Sequence, residues 1–78
     1  MLGEKVKENQ EIIVDLETMA KKRNKSVYEL SKETGIRYHV VKKYYRGEVY
    51  RVDLEILKKL CIALECMPSD IIKSIEVE

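Results

Sequence analysis

The strongest constraint on the fold is the segment 27–46, which predicts two short helices joined by a tight turn. Ser26 and Glu29 have the S-x-x-E spacing of a capping box, so a helix is expected to begin directly after Ser26. Gly35 follows soon afterwards, and a glycine in the left-handed conformation is a common end of a helix. The next helix, from about Arg37 to Arg46, must therefore begin almost at once.

The apolar residues of this segment form a face on each of the two predicted helices. The first helix presents Leu30 and the small Ser31, and the second presents Val41 and Tyr44. A small residue suits the point where the helices cross most closely, and Ile36 would fill the corner between them. Such a helix-turn-helix holds its second helix out from the domain, with the N-terminus available to a groove.

The rest of the chain adds three predicted helices around this unit. The first covers Asp15–Arg23, where Leu16, Met19 and Ala20 have helical spacing. The fourth follows the loop 48–52 and is capped by Asp53. Pro68 suits the first position of a short fifth helix that ends near Ser74.

The two ends of the chain leave two interpretations open. Residues 1–10 are charged with little to bury, so we expect a flexible N-terminal arm before a helix-turn-helix domain over residues 11–78. The β-branched residues Ile12–Val14 could pair with the alternating segment Ser74–Val77 as a short ladder. Alternatively, Ile12 begins the first helix and the tail frays.

Length and composition restrict the classes of function. A chain of 78 residues has room for one small domain. Its cysteines, Cys61 and Cys66, would lie on different faces of one helix, so we expect free thiols. With His39 far away in the sequence, we predict neither a metal site nor a cofactor. No apolar run reaches 18 residues and the first ten residues are polar, so we expect a cytoplasmic protein.

The charge is unevenly distributed along the chain. The formal net charge is only +1, but residues 36–51 carry +4 by themselves, and the remainder therefore carries −3. The same window holds His39 and most of the tyrosines. A basic, aromatic second helix of a helix-turn-helix is typical of a nucleic-acid-binding surface, although a charge cluster can also be a solvated face.

The motif residues resemble the Cro/cI-like (XRE-type) helix-turn-helix regulators. The resemblance rests on their pattern of apolar and small residues, met here by Leu30, Ser31, Thr34, Gly35, Ile36, Val41 and Tyr44, and on the stretch LCIALECMPSDII near the C-terminus. It covers about residues 11–77 and resembles most a compact single-domain subgroup. It implies an all-α, compact five-helix lambda-repressor-like DNA-binding domain, with the terminal β-ladder as an optional addition.

Three positions depart from the family pattern. Thr34 is more polar than the usual apolar residue, and Tyr44 is bulkier, so the packing of the helices is expected to adjust locally. Val27 stands where the family often has a glutamine that reaches a phosphate. The backbone amides at the start of that helix remain available for the phosphate instead.

The resemblance also implies which side chains contact DNA. The readout positions of the family fall on residues we expect to read bases: Arg37, Tyr38, His39, Lys42 and Lys43. Arginine and lysine can contact guanine, and a neutral histidine can donate or accept at a base edge. The residues expected at phosphates are Ser26, Tyr28, Arg46, Tyr50 and Arg51. The expected function is therefore sequence-specific binding of double-stranded DNA by a transcriptional regulator, with repression favoured.

Two other classes of function were weighed against DNA binding. A protein-interaction module of the same fold, with a toxin, an anti-repressor or a polymerase subunit as its partner, is favoured by the low net charge and by Val27. An enzyme is disfavoured, because the chain has no phosphate-binding glycine loop and no cysteine–histidine arrangement. A homodimer is expected, with the fifth helix or the apolar termini, which include Ile12, Ile13, Ile75 and Val77, at its interface.

Overall fold

The computed structural model describes residues 5–77, which form four α-helices, one 3₁₀ helix and a two-stranded sheet. The elements in chain order are β1 (Gln10–Val14), α1 (Leu16–Lys22), α2 (Val27–Thr34), α3 (Tyr38–Arg46), α4 (Leu54–Leu64), the 3₁₀ helix (Pro68–Asp70) and β2 (Ile72–Glu76). Within residues 5–77, no helix is long and apolar enough to cross a membrane.

The first and last elements pair as an antiparallel ladder, which answers the question left open at the two ends. Gln10 pairs with Glu76 and Val14 with Ile72, and the register is continuous between them. The ladder prediction is therefore confirmed, and Ile12 belongs to a strand. Residues 1–4 of the predicted arm lie outside the described residues, while Gln10 is the first residue of β1.

The predicted fifth helix is wrong beyond its first turn. Pro68 does begin a turn, which the Asp70 side chain closes by accepting a hydrogen bond of 2.9 Å from the Met67 amide. The backbone then leaves the helical path, because Asp15 N donates to Ile71 O at 2.6 Å and joins this segment to β1. Ser74 is consequently the middle residue of β2. The domain is mixed α/β with four α-helices, not an all-α five-helix domain.

The four predicted α-helices that form are confirmed, and their apolar faces meet in one core. Ser26 and Glu29 make the reciprocal capping box, and Gly35 ends α2 at φ 75°. Asp53 caps α4 through the amides of Glu55 and Ile56. The fully buried large side chains are Leu16, Leu30, Val41, Leu60, Leu64 and Ile71.

Helix α3 is fixed to both of its neighbours at its C-terminal end. Tyr44 is only 3% exposed, and its hydroxyl accepts a hydrogen bond of 3.1 Å from the Asp53 amide at the start of α4. Gly47 ends α3 at φ 73°, and a Cβ atom there would lie 3.0 Å from the carbonyl oxygen of Val14 in β1. The position of α3 therefore depends on the hydroxyl group of Tyr44 and on the absence of a Cβ atom at Gly47.

The carbonyl end of α4 is capped by two cations from the α1–α2 loop. Arg23 donates from Nε to Leu64 O at 2.8 Å and from a terminal nitrogen to Glu65 O at 3.1 Å. Lys25 Nζ donates to Ala63 O at 2.8 Å. Cations favour the C-terminal end of a helix, where carbonyl groups lack intrahelical partners. These contacts join segments far apart in the sequence.

The two cysteines lie together, which corrects the expectation that they occupy different faces. Helix α4 ends at Leu64, Glu65 is left-handed at φ 50°, and Cys66 N donates back to Cys61 O at 3.0 Å. This return is a Schellman motif, which brings the two side chains into contact. Both thiols are free, and burial raises the pKa of Cys66 to about 11, so this thiol stays protonated at neutral pH.

Replacement of the two helix-ending glycines tests the close approach of α3 to β1. Gly35→Ala places an L residue at positive φ in open space, which costs about 1–2 kcal/mol. Gly47→Ala carries the same backbone cost and adds the contact with Val14 O, so we expect a larger loss of unfolding free energy. Urea denaturation of both variants measures the difference. Equal losses would show that the approach to β1 imposes no constraint.

The cap of α1 predicts a dependence of stability on pH. The side-chain hydrogen bond from Thr18, together with Lys73, lowers the pKa of Asp15. A lowered carboxyl pKa stabilises the folded state above the unfolded pKa of about 3.9 and loses this effect as pH falls through the folded pKa. Asp15→Ala should lower the unfolding free energy near neutral pH by about 1 kcal/mol, the usual value of such a cap.

The deficit of this variant should shrink as the pH falls from about 4 through the lowered folded pKa, because the wild-type carboxylate becomes protonated over that range. Asp15→Asn is the matched control, since its side-chain oxygen can still cap Thr18 but cannot ionise. Denaturation curves from near-neutral to acid pH test both variants. A deficit of Asp15→Ala that stays constant throughout would contradict a contribution from the ionised group.

Candidate nucleic-acid interface

The turn between α2 and α3 is held by two hydroxyl groups. Thr34 Oγ1 donates to Leu30 O at 2.6 Å and accepts from Ile36 N at 3.2 Å. Ser31 Oγ donates to Ile36 O at 2.6 Å. Ile36 itself is buried in the corner between the helices, as its place in the sequence predicts. The polar Thr34, unusual for the resembled family, therefore serves the backbone groups of the turn.

Helix α3 turns its apolar side inward and its basic side to solvent. Val41 and Tyr44 are buried, and Val40 and Tyr45 pack partly against the core. Successive helical residues are about 100° apart, so the opposite side of the helix belongs to the basic and polar residues. Those that are exposed are Tyr38, His39, Lys43 and Arg46, with Lys42 half-buried at the flank.

Arg37 occupies the N-cap position of α3 but does not cap it with its side chain. It is exposed, and its guanidinium makes no hydrogen bond to a residue within 5–77. The helix therefore begins one residue later than predicted, and the arginine stands beside its first turn. Its fork of donors is free to reach a planar, two-acceptor edge such as that of guanine.

Two tyrosine–lysine pairs lie on the solvent side of the helix-turn-helix. Lys42 Nζ lies 5.9 Å from the centre of the Tyr38 ring in α3, and Lys32 Nζ lies 5.3 Å from the centre of the Tyr28 ring in α2. Each ring attracts the ammonium group and limits where it can move. Both pairs have i, i+4 spacing, so each ring and its cation present one amphipathic patch.

The loop after α3 brings a second group of the predicted residues together. Lys43, Tyr50 and Arg51 line one shallow groove beside the core residue Tyr44. Tyr50 is 97% exposed, so its ring rests on almost nothing within the part of the chain described. Arg46, at the end of α3, is also exposed. These side chains can move to meet a ligand that approaches from the α3 side.

The residues at the start of α2 form a separate part of the site. Ser26 Oγ accepts from Glu29 N at 3.1 Å, and Ser26 N donates to Glu29 Oε1 at 3.0 Å. The capping box thus occupies the backbone amide of Ser26, and only its hydroxyl hydrogen remains for a phosphate. Tyr28 is exposed. Neither side chain is hydrogen-bonded to α3 in the described part of the chain.

Within the part of the chain described, some cations of the domain form ion pairs with its carboxylates, whereas those of the basic window do not. The ion pairs found in residues 5–77 are Lys21 with Glu17, Lys25 with Glu33, and Lys73 with Asp15. None of them includes a residue of the basic window 36–51. Among the described residues, the cations of that window therefore form no ion pair with a carboxylate.

Sequence reasoning missed Lys32 as a member of this surface. It lies on the exposed side of α2, over the ring of the predicted phosphate residue Tyr28. The signal that could have found it is the repeated Tyr-x-x-x-Lys spacing, which occurs at 28–32 and again at 38–42. A single helical turn separates ring and cation in both cases.

Comparison with known proteins agrees with this geometry. A family model described as Cro/C1-type HTH DNA-binding domain matches residues 15–76. An uncharacterized HTH-type transcriptional regulator of Bacillus subtilis (strain 168), YozG, is 37% identical over 62 residues, covering 80% of this chain and 74% of that protein. The crystal structure of the transcriptional regulator VanUg has the same fold, with a TM-score of 0.66 at 18% identity over 96% of this chain and 99% of that one.

Removal of the Thr34 hydroxyl tests how the turn positions α3. Thr34→Val keeps the shape but leaves Ile36 N without its acceptor, so we expect a loss of about 1–3 kcal/mol of unfolding free energy. Thr34→Ser, which keeps the hydroxyl group, is the matched control and should retain both hydrogen bonds of the turn. A Thr34→Val protein as stable as wild type would mean that the turn does not need this hydrogen bond.

Proposed function

The chain belongs to the Cro/C1-type helix-turn-helix DNA-binding domains, a family with transcriptional regulators among its members, and we propose that it binds double-stranded DNA sequence-specifically by inserting α3 into the major groove. The observation that carries this proposal is the basic, aromatic side of α3, which faces solvent and forms no ion pair with any residue in the described part of the chain. An α-helix fits the width of the major groove.

Within this proposal, the exposed side chains of α3 read the bases. Arg37 makes a bidentate contact with a guanine, and Lys42, steered by the Tyr38 ring, reaches a neighbouring guanine. His39 and Lys43 contact base edges further along the groove. The Tyr38 hydroxyl can donate to a base or to a phosphate.

The surrounding side chains hold the domain on the phosphate backbone. They lie on both sides of α3 and comprise Ser26, Tyr28, Arg46, Tyr50 and Arg51. Contacts of this kind fix the orientation of the protein and carry no sequence information of their own. Lys32 joins them through its place over the Tyr28 ring.

The protein acts as a homodimeric repressor in this proposal. One recognition helix covers only a few base pairs, so two copies that bind half-sites about 34 Å apart would give a longer and more selective operator. A domain of this size on an operator excludes other proteins from the same DNA, which is the simplest route to repression. A promoter–reporter assay with and without the protein distinguishes repression from activation.

A selection from a random duplex library tests the proposal directly. The wild type is expected to enrich one sequence family at about 50 mM salt and to bind it more weakly at about 200 mM, since phosphate contacts release counterions. The Arg37→Ala/Lys42→Ala variant should bind the selected sequence about 10-fold to 100-fold more weakly, the usual loss for base-reading arginine and lysine. Fluorescence anisotropy measures each Kd.

The matched control for this pair is Lys58→Ala/Lys59→Ala on the exposed side of α4, which removes two positive charges away from α3. It should change binding uniformly and only slightly. Equal losses in both double variants would reduce the effect to net charge and contradict readout by α3. Failure of the wild type to retain any duplex would overturn the proposal.

A second candidate function, a protein-interaction module of the same fold, is favoured by the outer side of α4. Leu54 and Ile62 are largely exposed there and line an apolar groove with Pro68. A partner helix such as one from a toxin or a polymerase subunit could occupy such a groove. If the protein retains no DNA, substitution of Ile62 by a charged residue is the first test of this alternative.

A further inference from the structure

We infer that the free edge of β2 pairs with β2 of a second copy, so that the homodimer contains one continuous four-stranded antiparallel sheet. The inference extends the homodimer of the proposed function by naming its interface. The two strands of one copy pack on the helical core through Val14 and Ile72, and pairing of two copies would enlarge this small sheet from two strands to four. The edge needs no residue that the DNA-binding surface uses.

The hydrogen-bond phase of the ladder identifies which backbone groups face outward. Val77 N donates to Asn9 O at 2.7 Å, and Asp15 N donates to Ile71 O at 2.6 Å. These contacts identify 9/77 and 15/71 as hydrogen-bonded pairs. Since hydrogen-bonded and non-hydrogen-bonded pairs alternate in an antiparallel ladder, the backbone N–H and C=O groups of all odd-numbered residues in this register point towards the partner strand. The residues of β2 whose backbone groups point away from β1 are therefore Ile72, Ser74 and Glu76.

The outer edge of β1 is obstructed at both of its ends, whereas that of β2 is open along its length. On β1, Gln10 N donates to Lys7 O at 3.0 Å, and Val14 O lies against Gly47 of the α3 end. On β2, the outward amides and carbonyls have no backbone partner within residues 5–77. An open edge is a template for pairing with another chain. The structure therefore leaves one strand edge for a second copy.

This edge is complementary to itself in one register. With Ser74 opposite Ser74 of the second copy, Ile72 lies opposite Glu76 of that copy, and every outward-facing residue can exchange its hydrogen bonds. A shift of the register leaves an outward residue unpaired at each end. A two-fold axis perpendicular to the sheet generates this arrangement, as an isologous dimer requires.

The side chains in this register are compatible. The small Ser74 hydroxyls meet at the two-fold axis, and Lys73 faces Ile75 of the second copy, so no two like charges are directly opposed. Ile75 is 41% exposed in the single chain, and the aliphatic part of Lys73 of the second copy, directly opposite, would cover part of it.

The introduction of like charges at the two-fold axis tests the register. Ser74→Lys and Ser74→Glu each place two like charges against one another, and each should raise the dimer Kd by about tenfold or more. The native ladder should tolerate both, because Ser74 is exposed and its backbone faces away from β1. An equimolar mixture should recover the dimer, since lysine then faces glutamate. Sedimentation velocity measures the mass, and circular dichroism verifies the fold.

A cysteine introduced at the axis gives an independent readout. Hydrogen-bonded residues opposite one another in an antiparallel ladder have Cα atoms about 5.5 Å apart, within the range of a disulfide. Ser74→Cys should therefore cross-link under a mild oxidant. Glu76→Cys should not, because its counterpart lies several residues away along the strand. Equal cross-linking of both variants would contradict the register.

The outcomes separate the interface from the proposed function. A dimer that neither Ser74→Lys nor Ser74→Glu weakens, or a wild type that remains monomeric at every concentration, would overturn the interface while specific DNA binding could still be observed. Recovery of the dimer in the mixture, with no form of the protein retaining DNA, would leave the interface established and overturn the proposed function.

Discussion

The burial of one side of α3 is the constraint on which the remaining structure depends. Val41 and Tyr44 bury this side in the core. The Tyr44 hydroxyl accepts a hydrogen bond from the Asp53 amide at the start of α4, and Gly47 lets the end of the helix approach β1. Because these contacts fix the rotation of α3 about its own axis, they also decide which side chains face solvent. The packing of the apolar face therefore sets the orientation of the polar face.

The cations at this surface differ from several others in the domain, which bind groups of the protein itself. Arg23 and Lys25 bind carbonyl oxygens at the end of α4, and Lys73 pairs with Asp15. The basic residues of α3 and its following loop have no such partner among the described residues. A net charge of +1 therefore conceals a domain with one strongly basic side, and the low total says little about the affinity for a polyanion.

The sequence predicts those features that depend on neighbouring residues. Ser26 with Glu29, Gly35 and Asp53 each set a helix end through contacts within a few positions, and these ends were placed correctly. The segment after Pro68 was misjudged because its conformation depends on β1, more than fifty residues away. The contact of Cys61 with Cys66 was missed because Glu65 ends the helix without a glycine. Contacts with bases and phosphates involve a second molecule, so the sequence predicts them only through its resemblance to a family.

The pairing of β1 with β2 has a consequence for the order of folding. Because the ladder joins the first described element to the last, it can form only after the whole intervening chain has left the ribosome. Its formation then completes the packing of the helical core. A nascent chain that stops at α4 has its helix-turn-helix residues but lacks the buried Ile71 and the support of β2. The complete core, which includes Ile71, can therefore form only once the final strand has been synthesised.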